Sequence, residues 1–150
     1  MKKELLILQS YILTFGVIFA GYNTVLIAQR YLAQGGTWTQ FRIPDGLINP
    51  LATPCFWGLI FFIIALVWTA KLRANYNAVS QFRLIWLLVA GTMFGWGNYS
   101  YTLAKLYTSE ACDLGCSAGY FGIPQFTTCL VGAVVFTLAL IAAVRLYRAR

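Results

Sequence analysis

Four long apolar runs decide what this chain can fold into. They lie near residues 5–28, 51–70, 84–107 and 124–144. Each is long enough to cross a bilayer, which takes about 20 residues of helix. Composition points the same way: 60% of the chain is hydrophobic and 10% charged, against about 25% charged in an average soluble protein. Such a sequence cannot clothe a water-facing surface. The expected fold is all-α: an integral membrane four-helix bundle forming a single transmembrane domain over residues 1–150. Lys2 and Lys3 precede the first run in the manner of a signal peptide. That run is too long for an h-region, however, and no small-residue cleavage site ends it. It is expected to be a retained first helix.

The basic residues orient the bundle. Lys2, Lys3, Lys71, Arg73, Arg83, Arg145, Arg148 and Arg150 fall at the two termini or in the middle loop. Only Arg30, Arg42 and Lys105 fall on the other side. By the positive-inside rule, both termini are expected in the cytoplasm. The segments 36–49 and 108–122 then face outward, in a multi-pass protein of a plasma or bacterial inner membrane. The net charge of +7 is therefore a topology signal and gives no reason to expect nucleic acid as a partner. Histidine is absent, which removes bis-histidine haem, His-ligated zinc and an imidazole general base. Four acidic residues are too few for a proton-relay transporter of the usual kind.

The two halves of the chain are alike. "NPLATPCFWGLIFF" (49–62) aligns without gaps on "IPQFTTCLVGAVVF" (123–136). The alignment matches Pro50 with Pro124, Thr53 with Thr127, Cys55 with Cys129, Gly58 with Gly132 and Phe62 with Phe136. Asn23 and Asn98 follow nearly the same register in the first and third runs. Two similar helical hairpins of one orientation imply a pseudo-two-fold axis along the membrane normal. With Pro50 and Pro124 starting helices, Cys55 and Cys129 are expected at equal depth, about 7–8 Å into each helix at 1.5 Å per residue. Gly91, Gly95 and Gly97 in the third run are expected to allow close helix packing. Trp38 and Phe41 of the first outward loop suit the membrane interface.

Three of the four cysteines fall within "SEACDLGCSAGYFGIPQFTTC" (109–129). On the outward, oxidising side, Cys112 and Cys116 suit a disulfide, read equally well as a loop staple or as a redox-active pair. A metal site is the weaker reading, because a cysteine pair without histidine or a second Cys-x-x-Cys is poor zinc evidence. No metal-ligand set is expected. Taken singly, Cys55 and Cys129 read as inert buried thiols; their matched depth makes them more interesting.

The stretch "ACDLGCSAGYFGIPQFTTCLVGAVVFTLALIAAVRLY" resembles the last loop and last helix of the DsbB disulfide-forming proteins, where a cysteine loop leads into a Gly-x-x-x-Pro helix start. "TPCFWG" is similar to the Pro-Cys-x-x-Cys that opens their second helix. The vitamin K epoxide reductase relatives share the cysteine loop leading to Phe-Gly-Ile-Pro, as in residues 121–124. The resemblance covers 54–145, about half the chain once the spacer is set aside, and the four-helix topology.

The resemblance implies a thiol-disulfide oxidoreductase that passes electrons from extracytoplasmic protein thiols to a membrane quinone. Cys112 and Cys116 match the loop pair that exchanges with a soluble thiol-oxidase protein. Cys55 matches the first cysteine of the quinone-side pair. The chain departs from the family at Gly58, which stands where the second cysteine belongs, and in lacking the basic residue that follows it. Cys129 is the candidate replacement for the lost partner. Asn23, Trp96 and Asn98 are candidate quinone contacts, although a buried Asn more often makes an interhelical hydrogen bond. Arg42 and Lys105 are the nearest cations to activate Cys55. The rival reading is an accessory subunit of a larger membrane complex without catalysis of its own. It draws on the 17% aromatic content and the broken cysteine motif.

Overall fold

The structure is a computed structural model that describes residues 2–44, 47–108 and 126–148. Four α-helices run in chain order: α1 (Lys2–Ala33), α2 (Pro54–Ala74), α3 (Ala78–Tyr107) and α4 (Thr128–Arg148). All four are long and apolar enough to cross a membrane. Among the described residues the only β-pairing is an isolated bridge between Arg42 and Ile48. Large apolar side chains stand outward all round the bundle, among them Phe15, Ile18 and Val25 on α1 and Trp86 and Met93 on α3. Water-soluble monomers rarely show such continuous apolar surface; lipid accepts it. The protein is a multi-pass membrane protein.

The helices begin and end where local chemistry sets them, not at the limits of apolarity. Pro50 starts only a short 3₁₀ turn, Pro50–Ala52; α2 starts at Pro54. Pro suits the first helical position because the N–H it lacks has no partner there. Thr53 caps α2, its hydroxyl accepting from Phe56 N, 3.5 Å away. Thr127 holds the same place before α4, accepting from Leu130 N at 3.4 Å. Cys55 and Cys129 are thus each the second residue of a helix, shallower than five residues past a helix-starting proline. Pro124 itself lies outside the described residues.

The middle loop is shorter than the polar stretch 71–83 suggested. Lys71 and Arg73 occupy the last turn of α2, where cations complement the helix dipole. Asn77 caps α3 by accepting from Val79 N at 2.9 Å. Only 75–77 remain between the helices. Gln81, polar but inside α3, is completely buried and donates to Ala143 O at 3.0 Å.

In the bundle α1 packs on α2 and α4, and α3 packs on α4 and α2, with α2 and α4 also touching across the diagonal. At its centre the Phe62 and Phe136 rings stack, centroids 3.9 Å apart and 9° from parallel. Glycines make room for them. A Cβ on Gly16 of α1 would lie 2.7 Å from the Phe62 ring, and one on Gly91 of α3 2.5 Å from the Phe136 ring. Gly95 likewise lets α3 close on α4, where a Cβ would come within 2.9 Å of Ala133 Cα. Gly97 has no such role, since its Cβ would meet nothing within 4 Å among the described residues.

The loop that follows α1 folds back onto it. The buried Tyr31 hydroxyl bonds to Thr37 O at 3.0 Å and Gln40 O at 2.8 Å. Asn49 Nδ2 bonds to Trp38 O at 3.0 Å and Gln40 O at 2.8 Å. Trp38 and Phe41 are left exposed.

Candidate functional site

Above the Phe62–Phe136 stack lies a cavity of about 40 Å³. Its fourteen lining residues fall into seven pairs. Phe19, Ala20 and Asn23 of α1 face Phe94, Gly95 and Asn98 of α3, each 75 residues on. Pro54, Cys55, Gly58 and Phe62 of α2 face Thr128, Cys129, Gly132 and Phe136 of α4, each 74 residues on. The environments match in detail. Asn23 Nδ2 donates to Phe19 O at 2.8 Å, and Asn98 Nδ2 donates to Phe94 O at 2.8 Å. Both amides therefore hold a carbonyl of their own helix, although sequence favoured a bond between helices. A Cβ on Gly58 or Gly132 would meet nothing within 4 Å among the described residues. These two glycines leave the cavity open.

The thiols of two helices meet at this cavity. Cys55 and Cys129 form one buried cluster, each 8% exposed, with Ile27 and Tyr99 packed against them. Among the described residues neither is in a disulfide. Cys55 Sγ lies 3.7 Å from Thr128 Oγ1, so it sits at the first turn of the helix that carries Cys129. As second residues of α2 and α4, both sulfurs sit beside helix N-termini.

The other expected site residues are placed as follows. Asn23 and Asn98 line the cavity. Trp96 does not: it is 40% exposed, donates Nε1 to Thr137 Oγ1 at 3.1 Å and packs edge-on against Tyr99. Arg42 and Lys105 are not among the lining residues, and Lys105 Nζ stands over the Tyr101 ring at 5.9 Å. Cys112 and Cys116 lie outside the described residues. Phe19 and Phe94 were missed from sequence, as was Gly16. Extending the 75-residue register along α1 and α3 would have found all three.

A quinone does not fit this cavity. At about 40 Å³ it is several times smaller than a cavity of about 150 Å³ that admits benzene. Among the described residues no three His, Cys, Asp or Glu side chains come together. No family model, curated protein or solved structure matches the chain.

Proposed function

We propose that this protein is a membrane thiol-disulfide oxidoreductase whose inner redox couple is Cys55 with Cys129. The observation that carries the reading is their meeting in one buried cluster from two different helices. It supplies a partner for Cys55 although Gly58 stands where the related motif has its second cysteine. The bundle is read as a duplicated hairpin, α1–α2 and α3–α4, about a pseudo-two-fold axis through the Phe62–Phe136 stack. The matched lining pairs support this. Both termini are cytoplasmic by the distribution of basic residues, which puts the cysteines near the outer face.

Cys112 and Cys116 form the outer couple, reduced by thiols of an extracytoplasmic protein. A thiolate of that dithiol attacks the Cys55–Cys129 disulfide. The mixed disulfide then resolves, closing Cys112–Cys116 and leaving Cys55 and Cys129 as thiols. Two electrons and two protons pass inward. The resemblance gives a quinone as final acceptor, but the cavity does not admit its ring, so no step is drawn through it.

The test counts oxidising equivalents. Fully oxidised protein in lipid nanodiscs, given an excess of a reduced soluble protein dithiol, should oxidise two donor molecules per chain. Cys55→Ser and Cys129→Ser should each oxidise one. Equal capacity in wild type and both variants contradicts the inner couple. Stoichiometric co-purification with a larger membrane complex, with no exchange at all, selects the accessory-subunit reading instead.

A further inference from the structure

We infer that the reduced Cys55–Cys129 pair is a two-coordinate site for a soft monovalent cation of the Cu(I) class. The inference deepens the reading of the same two thiols but does not depend on their exchange chemistry.

The donor set selects the ion. Hard cations such as Ca²⁺ and Mg²⁺ take six or more oxygens or retain water, and structural zinc takes four nitrogen or sulfur ligands. Among the described residues the cavity lining holds two thiols and neither a carboxylate nor an imidazole. Every other lining group is apolar except the Asn23 and Asn98 amides and the Thr128 hydroxyl. Soft thiolate donors select Cu(I), and two of them suffice for a linear complex.

Size and charge agree. A single water needs about 10–15 Å³ measured as probe volume, so 40 Å³ takes a bare ion and excludes a bulky or fully hydrated one. Binding converts two thiols and Cu⁺ into S–Cu–S with one net negative charge, releasing two protons. That charge lies at the first turns of α2 and α4, where each helix carries about half a positive charge. Gly58 and Gly132 keep the space clear. Closing the Cys55–Cys129 disulfide removes both ligands, so oxidation and metal binding exclude each other.

Cu(I) itself is the probe. Reduced, full-length protein carrying Cys112→Ser and Cys116→Ser is titrated anaerobically in nanodiscs against a competing Cu(I) chelator. We expect one Cu(I) per chain, with X-ray absorption showing two sulfur neighbours. Adding Cys55→Ser or Cys129→Ser should weaken binding at least about 100-fold, since changes outside the ligands alone cost about 10–100-fold. Gly58→Leu and Gly132→Leu fill the cavity with both thiols kept and should each lower the stoichiometry. The proposal is overturned by failure to retain Cu(I), by retention insensitive to Cys55→Ser, or by three sulfur neighbours. Failure to bind alongside a normal count of oxidising equivalents sinks the metal site and leaves thiol exchange standing. Binding alongside a count unchanged in Cys55→Ser does the reverse.

Discussion

Gly91→Ala adds one methyl group at the tightest described point beside the cavity. Its carbon would stand 2.5, 2.7 and 3.0 Å from three atoms of the Phe136 ring, against about 3.5–4.0 Å for relaxed carbon contacts. Phe136 cannot retreat toward the axis, because Phe62 lies stacked on it at 3.9 Å. Overpacking of this kind costs about 1–3 kcal/mol. Replacing a helical glycine by alanine returns about 0.8–1.0 kcal/mol, so the net effect is a loss of about 0–2 kcal/mol. Gly97→Ala, whose Cβ meets open space, supplies the propensity term alone and should stabilise by about 1 kcal/mol. The two variants should thus differ by about 1–3 kcal/mol, which is the steric term by itself. Reversible unfolding in mixed micelles reads both. Shortening the ring with Phe136→Leu should rescue Gly91→Ala, with a coupling of at least about 0.5 kcal/mol in a double-mutant cycle. Gly16→Ala against Phe62 should behave alike, because its Cβ would stand 2.7 Å from that ring. Gly91→Ala as stabilising as Gly97→Ala, or no coupling to Phe136, would refute the packing argument.

Two further predictions concern polar groups. Gln9 is fully buried, with neither amide atom partnered among the described residues, so Gln9→Leu should stabilise the same unfolding transition by about 1–3 kcal/mol; a loss of stability would mean that the amide has a bound partner. Thr53→Ala and Thr127→Ala each remove the cap above a cavity cysteine and should each cost about 1 kcal/mol, and effects differing by more than that would count against matched hairpins.

The fold was legible because lipid leaves few choices: an apolar run near 20 residues becomes a helix. The ends were less so. Helix α2 begins at Pro54 and not near Pro50, because Thr53 supplies the side-chain cap and Pro50 turns only a 3₁₀ segment. Helix α3 begins before Leu84 because Asn77 caps it and Gln81 is buried within it, which polarity alone argues against. The site was legible where residues of the two halves of the sequence align. Matching Cys55 with Cys129 and Asn23 with Asn98 picked out four of the cavity's lining residues. Trp96 stands outside the cavity lining, its indole bonded to Thr137 on the neighbouring helix, a contact that no spacing within α3 encodes. The cavity itself could not be read from sequence. Gly58 and Gly132 line it without filling it, and sequence shows a glycine without showing whether its missing side chain is filled by a neighbour or left as space.

The most direct measurement is disulfide mapping between α2 and α4. Protein carrying Cys112→Ser and Cys116→Ser leaves Cys55 and Cys129 as its only thiols. A disulfide requires Cα atoms within about 7 Å; Cys55 and Cys129 share one buried cluster and are expected to meet that limit. Treatment with a mild oxidant in nanodiscs, followed by proteolysis and mass spectrometry, should yield one intramolecular peptide pair joining Cys55 to Cys129, reversed by reductant. Two free thiols after oxidation, or crosslinks only between separate chains, would contradict the account.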